Sequence, residues 1–273
     1  MMSTEAQSVM ALLKDQIFLP KPSAELQSQY KKAKPFPYLV LDNLFRDETL
    51  EALIEEIPAK GDKKWVHHDE EHLVKSNLRS AVELGKTGDE FVALLHSARF
   101  LYLISELTDI WGLVPDPYLG GSGYHVVPKG GKFDVHADRN VDQTTGLTRR
   151  IAMLIYLNKG WQSEDGGQLE LWNHNATKCE VVIEPIFNRT AFFEVADKNF
   201  HCVKPVLCTD GRNRLSFAVY FHTVGKGTVA HSSIYAPSFY EGKKKKTTLR
   251  TVVSDLAPPI VVRGYRRLRK KQA

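Results

Sequence analysis

The stretch Gly130-Gly-Lys-Phe-Asp-Val-His-Ala-Asp138 places two potential metal ligands, His136 and Asp138, two residues apart. In an extended strand alternate side chains leave the same face, so both can reach one ion. A second histidine, His201, follows 65 residues later in a segment that also reads as a strand. Two imidazoles and one carboxylate leave three positions of an octahedral ion open, an arrangement typical of non-heme Fe(II) oxygenases. We therefore expect a metal site formed by His136, Asp138 and His201.

Arg214 lies thirteen residues beyond His201, at the start of an apolar strand. A buried guanidinium is costly unless it is paired with an anion, and the carboxylate of 2-oxoglutarate would be such a partner. Two other interpretations stay open. Arg214 could extend from a strand edge to solvent, or it could pair with a structural acid such as Glu194.

Neither histidine motif is specific by itself, because a His-x-Asp pattern is common in polar loops. The order of the segments is more informative. It runs from the ligand pair through an apolar strand, a Gly-Gly turn and two further strands to His201 and then Arg214. This order favours a metal site over unrelated polar side chains in solvent-exposed loops.

The region from about 120 to 223 resembles the prolyl 4-hydroxylase-like branch of the Fe(II)/2-oxoglutarate-dependent dioxygenases. Its segment pattern is similar to those of the hypoxia-sensing and ribosomal prolyl hydroxylases. The resemblance is carried by His136-Ala-Asp138, Ile155-Tyr-Leu-Asn158, Gly166-Gly-Gln-Leu169, Thr190-Ala-Phe-Phe193, His201-Cys-Val203 and Arg214. The segment Pro35 to Phe45 also resembles the entry strand of the family's amino-terminal part.

The resemblance implies roles for individual residues. His136, Asp138 and His201 match the iron ligands. Arg214 matches the residue that binds the distal carboxylate of 2-oxoglutarate, and Tyr156 matches a tyrosine that hydrogen-bonds the same carboxylate. The family often has a further tyrosine before the first histidine, where this chain has valines, and Tyr124, the nearest phenol, is the candidate for its contact with the co-substrate.

The resemblance also implies an activity and its cofactors. The expected reaction is hydroxylation of an unactivated C–H bond with Fe(II), 2-oxoglutarate and O₂, releasing succinate and CO₂, with ascorbate as a reductant. A proline of a peptide or protein is the first expectation for the substrate. A free amino acid, a sugar or a peptide-like natural product is the alternative, with Arg139 as a carboxylate anchor. A jelly-roll binding module without catalysis is a third hypothesis.

The pattern of apolar residues predicts a mostly β protein with N-terminal helices. Helices are expected over 3–16, 23–33, 47–57 and 88–112, with a strand at 38–41 and a polar loop at 61–85. Seven β-branched and aromatic segments, separated by turn residues, are expected to be strands. They are Tyr124 to Pro128, Arg149 to Asn158, Gln168 to Trp172, Lys178 to Ile183, Thr190 to Val195, His201 to Cys208 and Arg214 to Thr223. Evenly spaced strands without intervening helices predict a double-stranded β-helix, or jelly roll, supported by helices (α+β).

Three regions are expected: a support region with an active-site loop at 1–115, the jelly-roll core at 116–224 and a basic extension at 225–273. Residues 243–273 contain eleven Lys or Arg and one acid, which gives +10 and leaves −5 for residues 1–242 of the total of +5. Such a segment could contact nucleic acid, the ribosome or an anionic membrane. A solvated, partly disordered tail is the alternative.

Other sequence features bear on location. Three cysteines without a Cys-x-x-Cys spacing, and no signal-like opening segment, lead us to expect the reducing cytoplasm. No apolar run is long enough to predict a transmembrane segment. His67, His68, Asp69, Glu70, Glu71 and His72 form a second tract with metal-ligand residue types, for which a solvated loop is the alternative.

Overall fold

The computed structural model describes residues 17–21, 23–59, 62, 64–78, 84–116, 118–225 and 233–236. The predicted helix at 3–16 and the basic segment 243–273 lie outside the described residues.

Four α-helices occur in the described part of the chain: α1 Ser23–Lys32, α2 Asp47–Glu55, α3 Lys86–Leu95 and α4 Ala98–Thr108. The first two confirm the predicted helices, with the second ending two residues early. The prediction of one helix over 88–112 is wrong. The chain breaks after Leu95, and Ser97 starts a new helix by accepting a hydrogen bond from the Phe100 amide.

No single described helix is both long and apolar enough to cross a bilayer. The pair α3 and α4, bent by 52°, meets that test only when the two are taken together.

The described residues form twelve β-strands: β1 Tyr38–Asp42, β2 Trp65–Glu70, β3 Leu73–Leu78, β4 Gly123–Val127, β5 Phe133–Ala137, β6 Thr148–Tyr156, β7 Leu169–Trp172, β8 Cys179–Ile183, β9 Arg189–Glu194, β10 His201–Val203, β11 Arg214–Thr223 and β12 Ile234–Tyr235. The seven strands predicted between 124 and 223 are all present. One of them, expected to reach Cys208, ends at Val203, and Pro205, which has no amide hydrogen for a ladder, follows shortly after.

The strands form one curled antiparallel sheet, which confirms the mostly β jelly-roll prediction. Ten strands follow the order β1-β9-β6-β11-β4-β3-β5-β10-β7-β8, with β2 paired to β3 and β12 paired to β5. One half of the sheet consists of β1, β9, β6, β11 and β4, and the other consists of β5, β10, β7 and β8. The inner faces of the two halves meet. Phe193 of β9 lies with its ring centroid 4.6 Å from that of His201 of β10. The inner space between these halves holds the candidate site.

Strand β6 shows how the sequence specifies the two faces of the sheet. Ile151, Met153 and Ile155 belong to the core that the helices cover. The alternate residues Ala152 and Tyr156 belong to the inner core shared with β7 and β8. Both faces of β6 are therefore apolar, as a strand covered on two sides requires.

The polar loop predicted at 61–85 is wrong over residues 65–78, which form the hairpin β2–β3. Strand β3 pairs with β4 through Ser76 and Val126, and with β5 through Leu73 and Phe133. It therefore bridges the two halves of the sheet. Polar composition concealed the hairpin, because backbone pairing in this position needs few large apolar side chains.

Candidate metal and co-substrate site

Three candidate metal ligands converge in the inner space. Asp138 Oδ1 lies 3.3 Å from His136 Nε2, and Asp138 Oδ2 lies 3.8 Å from His201 Nε2. All three side chains are buried, and one ligand atom from each lies within 4.8 Å of the others. No other group of three or more His, Cys, Asp or Glu residues in the described ranges meets this geometry.

Strand pairing brings the ligands together across 65 residues of sequence. His136 of β5 lies directly opposite His201 of β10. A β-bulge follows, because Phe133 is opposite Val203, so three steps along β5 match two along β10. The bulge turns the Phe133 ring onto the His136 ring, with centroids 3.6 Å apart. The histidine is thereby held between the strand pairing and an aromatic ring.

Hydrogen bonds fix the tautomer of both histidines. His136 Nδ1 lies 2.8 Å from the Asp134 carbonyl oxygen, and His201 Nδ1 lies 3.2 Å from the Asn199 carbonyl oxygen. A carbonyl only accepts, so Nδ1 carries the proton and Nε2 presents a lone pair. His136 Nε2 and Asp138 Oδ2 are buried without a hydrogen-bond partner in the described structure. These two buried lone-pair donors, which belong to one cluster and have no hydrogen-bond partner, fit a bound metal ion.

Burial and charge prepare these groups for binding. Burial, together with the nearby His136, lowers the pKa of His201 to about 4, although Asp138 acts in the opposite direction. Burial raises the pKa of Asp138, but the two histidines and Arg149 lower it by more, so its pKa lies below the usual range. At neutral pH the site therefore contains a neutral His201 and an ionised carboxylate, the forms that bind a divalent cation.

Arg214 is the buried cation of the inner space. Its Nε donates a 2.7 Å hydrogen bond to the Gly167 carbonyl oxygen, and Nη1 lies 3.5 Å from Ser216 Oγ. Nη2 is buried and has no hydrogen-bond partner among the described residues. Pairing with Glu194 is ruled out, because that carboxylate lies 3.8 Å from Arg150 Nη2 instead. Nη2 is thus free for an anionic ligand.

The two predicted tyrosines occupy different faces of the sheet. The Tyr156 ring lies under the guanidinium of Arg214, 5.0 Å from its Cζ, and the hydroxyl has no described hydrogen-bond partner. Burial raises the pKa of Tyr156, so the hydroxyl keeps its proton and can donate it to an anion. Tyr124 instead packs on Phe217 in the helix-covered core. A ligand in the inner space would not contact it.

The ligands and Arg214 surround one small cavity of about 50 Å³. Arg139 does not line it. The lining side chains are Lys75, His125, Val127, Lys132, Phe133, His136, Asp138, Ala152, Leu154, Leu169, Phe193, His201, Val203, Arg214, Ser216 and Tyr220.

Several polar residues of this cavity were not predicted from the sequence. His125 is opposite Ser216 in the β4–β11 pairing and binds the Gly121 carbonyl oxygen at 2.9 Å. Tyr220 packs beneath the guanidinium of Arg149 at 4.0 Å. The alternation of β4 was a usable signal, since it puts His125 on the face opposite Tyr124.

The second His-rich tract contributes structural contacts. His67 Nδ1 lies 2.7 Å from Ser76 Oγ, and His68 Nε2 lies 2.8 Å from Asn77 Oδ1, both across the hairpin. His72 Nδ1 lies 2.9 Å from the buried carboxylate of Asp134. These histidines therefore stabilise the hairpin and its contact with β5, and the tract does not assemble a metal site.

A larger open cleft of about 1010 Å³ adjoins the site. Asn140 and Asn199, each two residues from a candidate ligand, line this cleft, and so does Trp111. The pair Arg149 and Tyr220 connects the two spaces, because Arg149 lines the cleft and Tyr220 lines the cavity.

Comparisons with known proteins agree with this geometry. Residues 122–222 match the family model described as the 2OG-Fe(II) oxygenase superfamily. Prolyl 3-hydroxylase OGFOD1 of Xenopus laevis is 40% identical over 78 residues, which cover 27% of this chain and 15% of that protein. Its Mus musculus counterpart is 37% identical over 78 residues, covering 27% and 14%. The chain thus matches about a seventh of the length of these curated relatives.

Solved structures share the fold. A Pseudomonas putida prolyl-4-hydroxylase has a TM-score of 0.52 at 20% identity, over 73% of this chain and 100% of that chain. HygX from Streptomyces hygroscopicus, solved with nickel and 2-oxoglutarate bound, has a TM-score of 0.52 at 12% identity, over 78% and 98%.

A double-stranded β-helix with a buried His-Asp-His cluster defines the class of the non-heme metal oxygenases. Residues 122–222 match the 2OG-Fe(II) oxygenase superfamily, and the chain shares its fold with a prolyl-4-hydroxylase. The matched family implies Fe(II), 2-oxoglutarate and O₂.

Proposed function

We propose that this protein is an Fe(II)- and 2-oxoglutarate-dependent dioxygenase that hydroxylates a proline C–H bond in a peptide or protein, releasing succinate and CO₂. The single observation that carries the proposal is the buried cluster of His136, Asp138 and His201, in which His136 Nε2 and Asp138 Oδ2 are buried without a hydrogen-bond partner in the described structure. Such a cluster is costly to bury unless it binds a cation.

His136, Asp138 and His201 would hold the iron. Bound Fe(II), with 2-oxoglutarate and O₂, supplies the oxidation of the C–H bond. The chain's own part is to fix the Nε2 tautomers through the Asp134 and Asn199 carbonyls. It also keeps the space dry through apolar residues such as Phe193 and Leu169. Ascorbate as a reductant is part of the proposal.

Arg214 would bind the distal carboxylate of 2-oxoglutarate. Its Nε is already used by Gly167, so the co-substrate would meet the Nη2 edge. Tyr156 would donate its hydroxyl hydrogen to the same carboxylate, since burial keeps the phenol protonated. Two donors on one carboxylate give both affinity and a fixed orientation.

A peptide or protein fits the surroundings of the site better than a small molecule does. The inner cavity of about 50 Å³ is small, whereas the adjoining open cleft of about 1010 Å³ has room for an extended chain. Trp111 and the ion pair of Arg150 with Glu194 lie along this cleft. Aromatic and charged groups along an open groove suit recognition of a proline-bearing peptide.

A cytoplasmic location and a contact of residues 243–273 with an anionic surface are further parts of the proposal. Cys179, Cys202 and Cys208 are all free thiols, in keeping with a reducing compartment. The charge of +10 on residues 243–273 supports the contact. Salt-dependent binding of the full chain to RNA, and separately to anionic vesicles, would test it, and no binding to either would refute it.

The test of the activity uses proline-bearing peptides, Fe(II), 2-oxoglutarate, ascorbate and air. We expect one oxygen atom to be added to a proline, with succinate formed in equal amount, by the wild type and by His67→Ala but not by His136→Ala. Hydroxylation of free amino acids or sugars, with every peptide unchanged, would contradict the proposed substrate class.

A further inference from the structure

Lys75 is a second cation of the inner cavity. The β3–β4 pairing ends with Ser76 opposite Val126, one residue short of Lys75 and Val127, and Val127 is opposite Arg214 in the β4–β11 pairing. The lysine and the arginine therefore lie on one cross-strand row, roughly 10 Å apart at the backbone, and both side chains line the cavity.

The ammonium group of Lys75 is directed over the iron-ligand region. Its Nζ lies 5.5 Å from the centroid of the Phe133 ring, and that ring stacks on His136. In the described part of the chain Lys75 has no hydrogen bond and no ion pair. The aromatic face offsets only a small part of the charge.

The charges of the cavity are unbalanced. Lys132 lies 3.0 Å from the Asp134 carboxylate, which neutralises it. Asp138 is surrounded by the two histidines. Lys75 and Arg214 are left as two cations that line a space containing no other carboxylate among its described lining residues. Two unpaired cations in a small cavity predict an anionic ligand.

The pKa of the lysine agrees with this placement. Burial lowers the pKa of Lys75 to about 8, with Asp138 raising it and with Arg214 and Arg149 lowering it. At neutral pH the amine is still mainly protonated, and an anion beside it would strengthen that state.

We propose that Lys75 binds a carboxylate in the cavity, alongside Arg214. The carboxylate could come from 2-oxoglutarate or from an acidic residue next to the target proline, and both sources offer the same chemistry. Naming 2-oxoglutarate and a proline-bearing substrate as the ligands rests on the proposed function. The free ammonium group and the cavity are properties of the fold.

The first experiment measures binding without turnover. Calorimetry would give the affinity of glutarate for the metal-free protein and of 2-oxoglutarate for the Zn(II)-loaded protein. If the co-substrate is the source, Lys75→Met should weaken both by about 10-fold or more, as expected for loss of a charged hydrogen bond. Lys75→Arg should keep most of the affinity because it keeps the charge, and Lys178→Met on the surface should match the wild type.

The second experiment separates the substrate as the source. Two proline peptides that differ by one Glu or Gln beside the proline would be bound to the Zn(II)- and 2-oxoglutarate-loaded protein. If the substrate supplies the carboxylate, the wild type should prefer the Glu peptide by about 10-fold and Lys75→Met should lose this preference. Lys75→Arg should retain it.

Unchanged dicarboxylate affinities in Lys75→Met, together with no peptide preference that depends on Lys75, would overturn the proposal. This result is separable from a failure of the proposed function. A wild type that forms succinate while Lys75→Met binds every ligand normally rejects only the role of Lys75. If the wild type forms no succinate but binds glutarate, and Lys75→Met does not bind it, only the proposed activity is rejected.

Discussion

Arg214 and Gly167 fit each other closely: the Arg214 Nε donates a 2.7 Å hydrogen bond to the Gly167 carbonyl oxygen, and a Cβ on Gly167 would lie 2.9 Å from Arg214 Cδ. Gly167 also has φ +70°, in the left-handed region. Only glycine satisfies both conditions without strain. The Gly-Gly turn therefore positions the cation that we assign to the co-substrate.

Gly167→Ala should displace Arg214. We expect the Kd for 2-oxoglutarate to rise about 10-fold, because the guanidinium must move to relieve the contact. The free energy of unfolding should fall by about 1–2 kcal/mol from the backbone conformation alone. Gly146→Ala is the matched control, since Gly146 has φ +71° and open space around it. Equal effects of the two substitutions on 2-oxoglutarate binding would disprove the positioning role.

Tyr156 and Tyr124 give a paired test of the co-substrate contacts. Tyr156→Phe should raise the Kd for 2-oxoglutarate about 3- to 10-fold, because it removes a donor that is otherwise unpaired beside Arg214. Tyr124→Phe should leave this Kd unchanged, since Tyr124 packs on Phe217 on the helix-covered face of the sheet, away from the inner cavity. Calorimetric titration of the Zn(II)-loaded proteins measures both. The reverse pattern would show that Tyr124 contacts the co-substrate after all.

Asn158 stabilises the strand that carries Arg214. Its amide donates to the carbonyl oxygens of Pro185 at 2.6 Å and Leu215 at 3.0 Å, and its Oδ1 accepts from the Leu215 amide at 2.6 Å. Asn158→Ala leaves these buried groups unsatisfied and should cost about 2–4 kcal/mol in the free energy of unfolding.

Urea denaturation measures the cost of Asn158→Ala, and Asn173→Ala is its control. Asn173 makes comparable hydrogen bonds to Thr177 in an exposed turn, where water can replace them. We expect the control to cost less than about 1 kcal/mol. Equal losses in the two variants would mean that Asn158 contributes no more than a surface turn.

His222 should make stability depend on pH. It is fully buried with neither ring nitrogen hydrogen-bonded among the described residues, and burial, together with the nearby Arg149, lowers its pKa to about 4. In the unfolded chain a histidine titrates near 6.5. Between these values the unfolded state binds more protons, so stability should fall as pH falls from about 6.5 towards 4.

The contribution of His222 reaches about 2–3 kcal/mol at the lower end of this range. It should be absent in His222→Phe, measured as the slope of the unfolding free energy against pH. His67→Ala, at an exposed position, should keep the wild-type slope. An unaltered slope in His222→Phe would show that the buried ring does not titrate in this way.

Much of the fold was predictable because the strands carry strong local signals. The apolar and β-branched run of β11 is predicted from Arg214 to Thr223, and the structure has the same bounds. The hairpin β2–β3 was missed because most of its residues are polar and because its stability comes from pairing with strands that are distant in the sequence. The break between α3 and α4 was missed because the apolar spacing continues through it.

The candidate site was predictable in its ligands but not in its surroundings. His136, Asp138 and His201 follow a recognisable spacing, and the structure brings them together. Lys75 approaches only because β3 inserts between β4 and β5. This arrangement depends on sheet order, which no local pattern of residues records.

Succinate formation from 2-oxoglutarate by anaerobically purified protein, given Fe(II) and then air, tests whether His136, Asp138 and His201 form a working iron site. We predict iron-dependent succinate from the wild type, none from His136→Ala, and a much higher requirement for 2-oxoglutarate in Arg214→Met. Succinate formation that is independent of His136, or its absence from the wild type with iron and proline peptides present, would contradict an iron site at these residues.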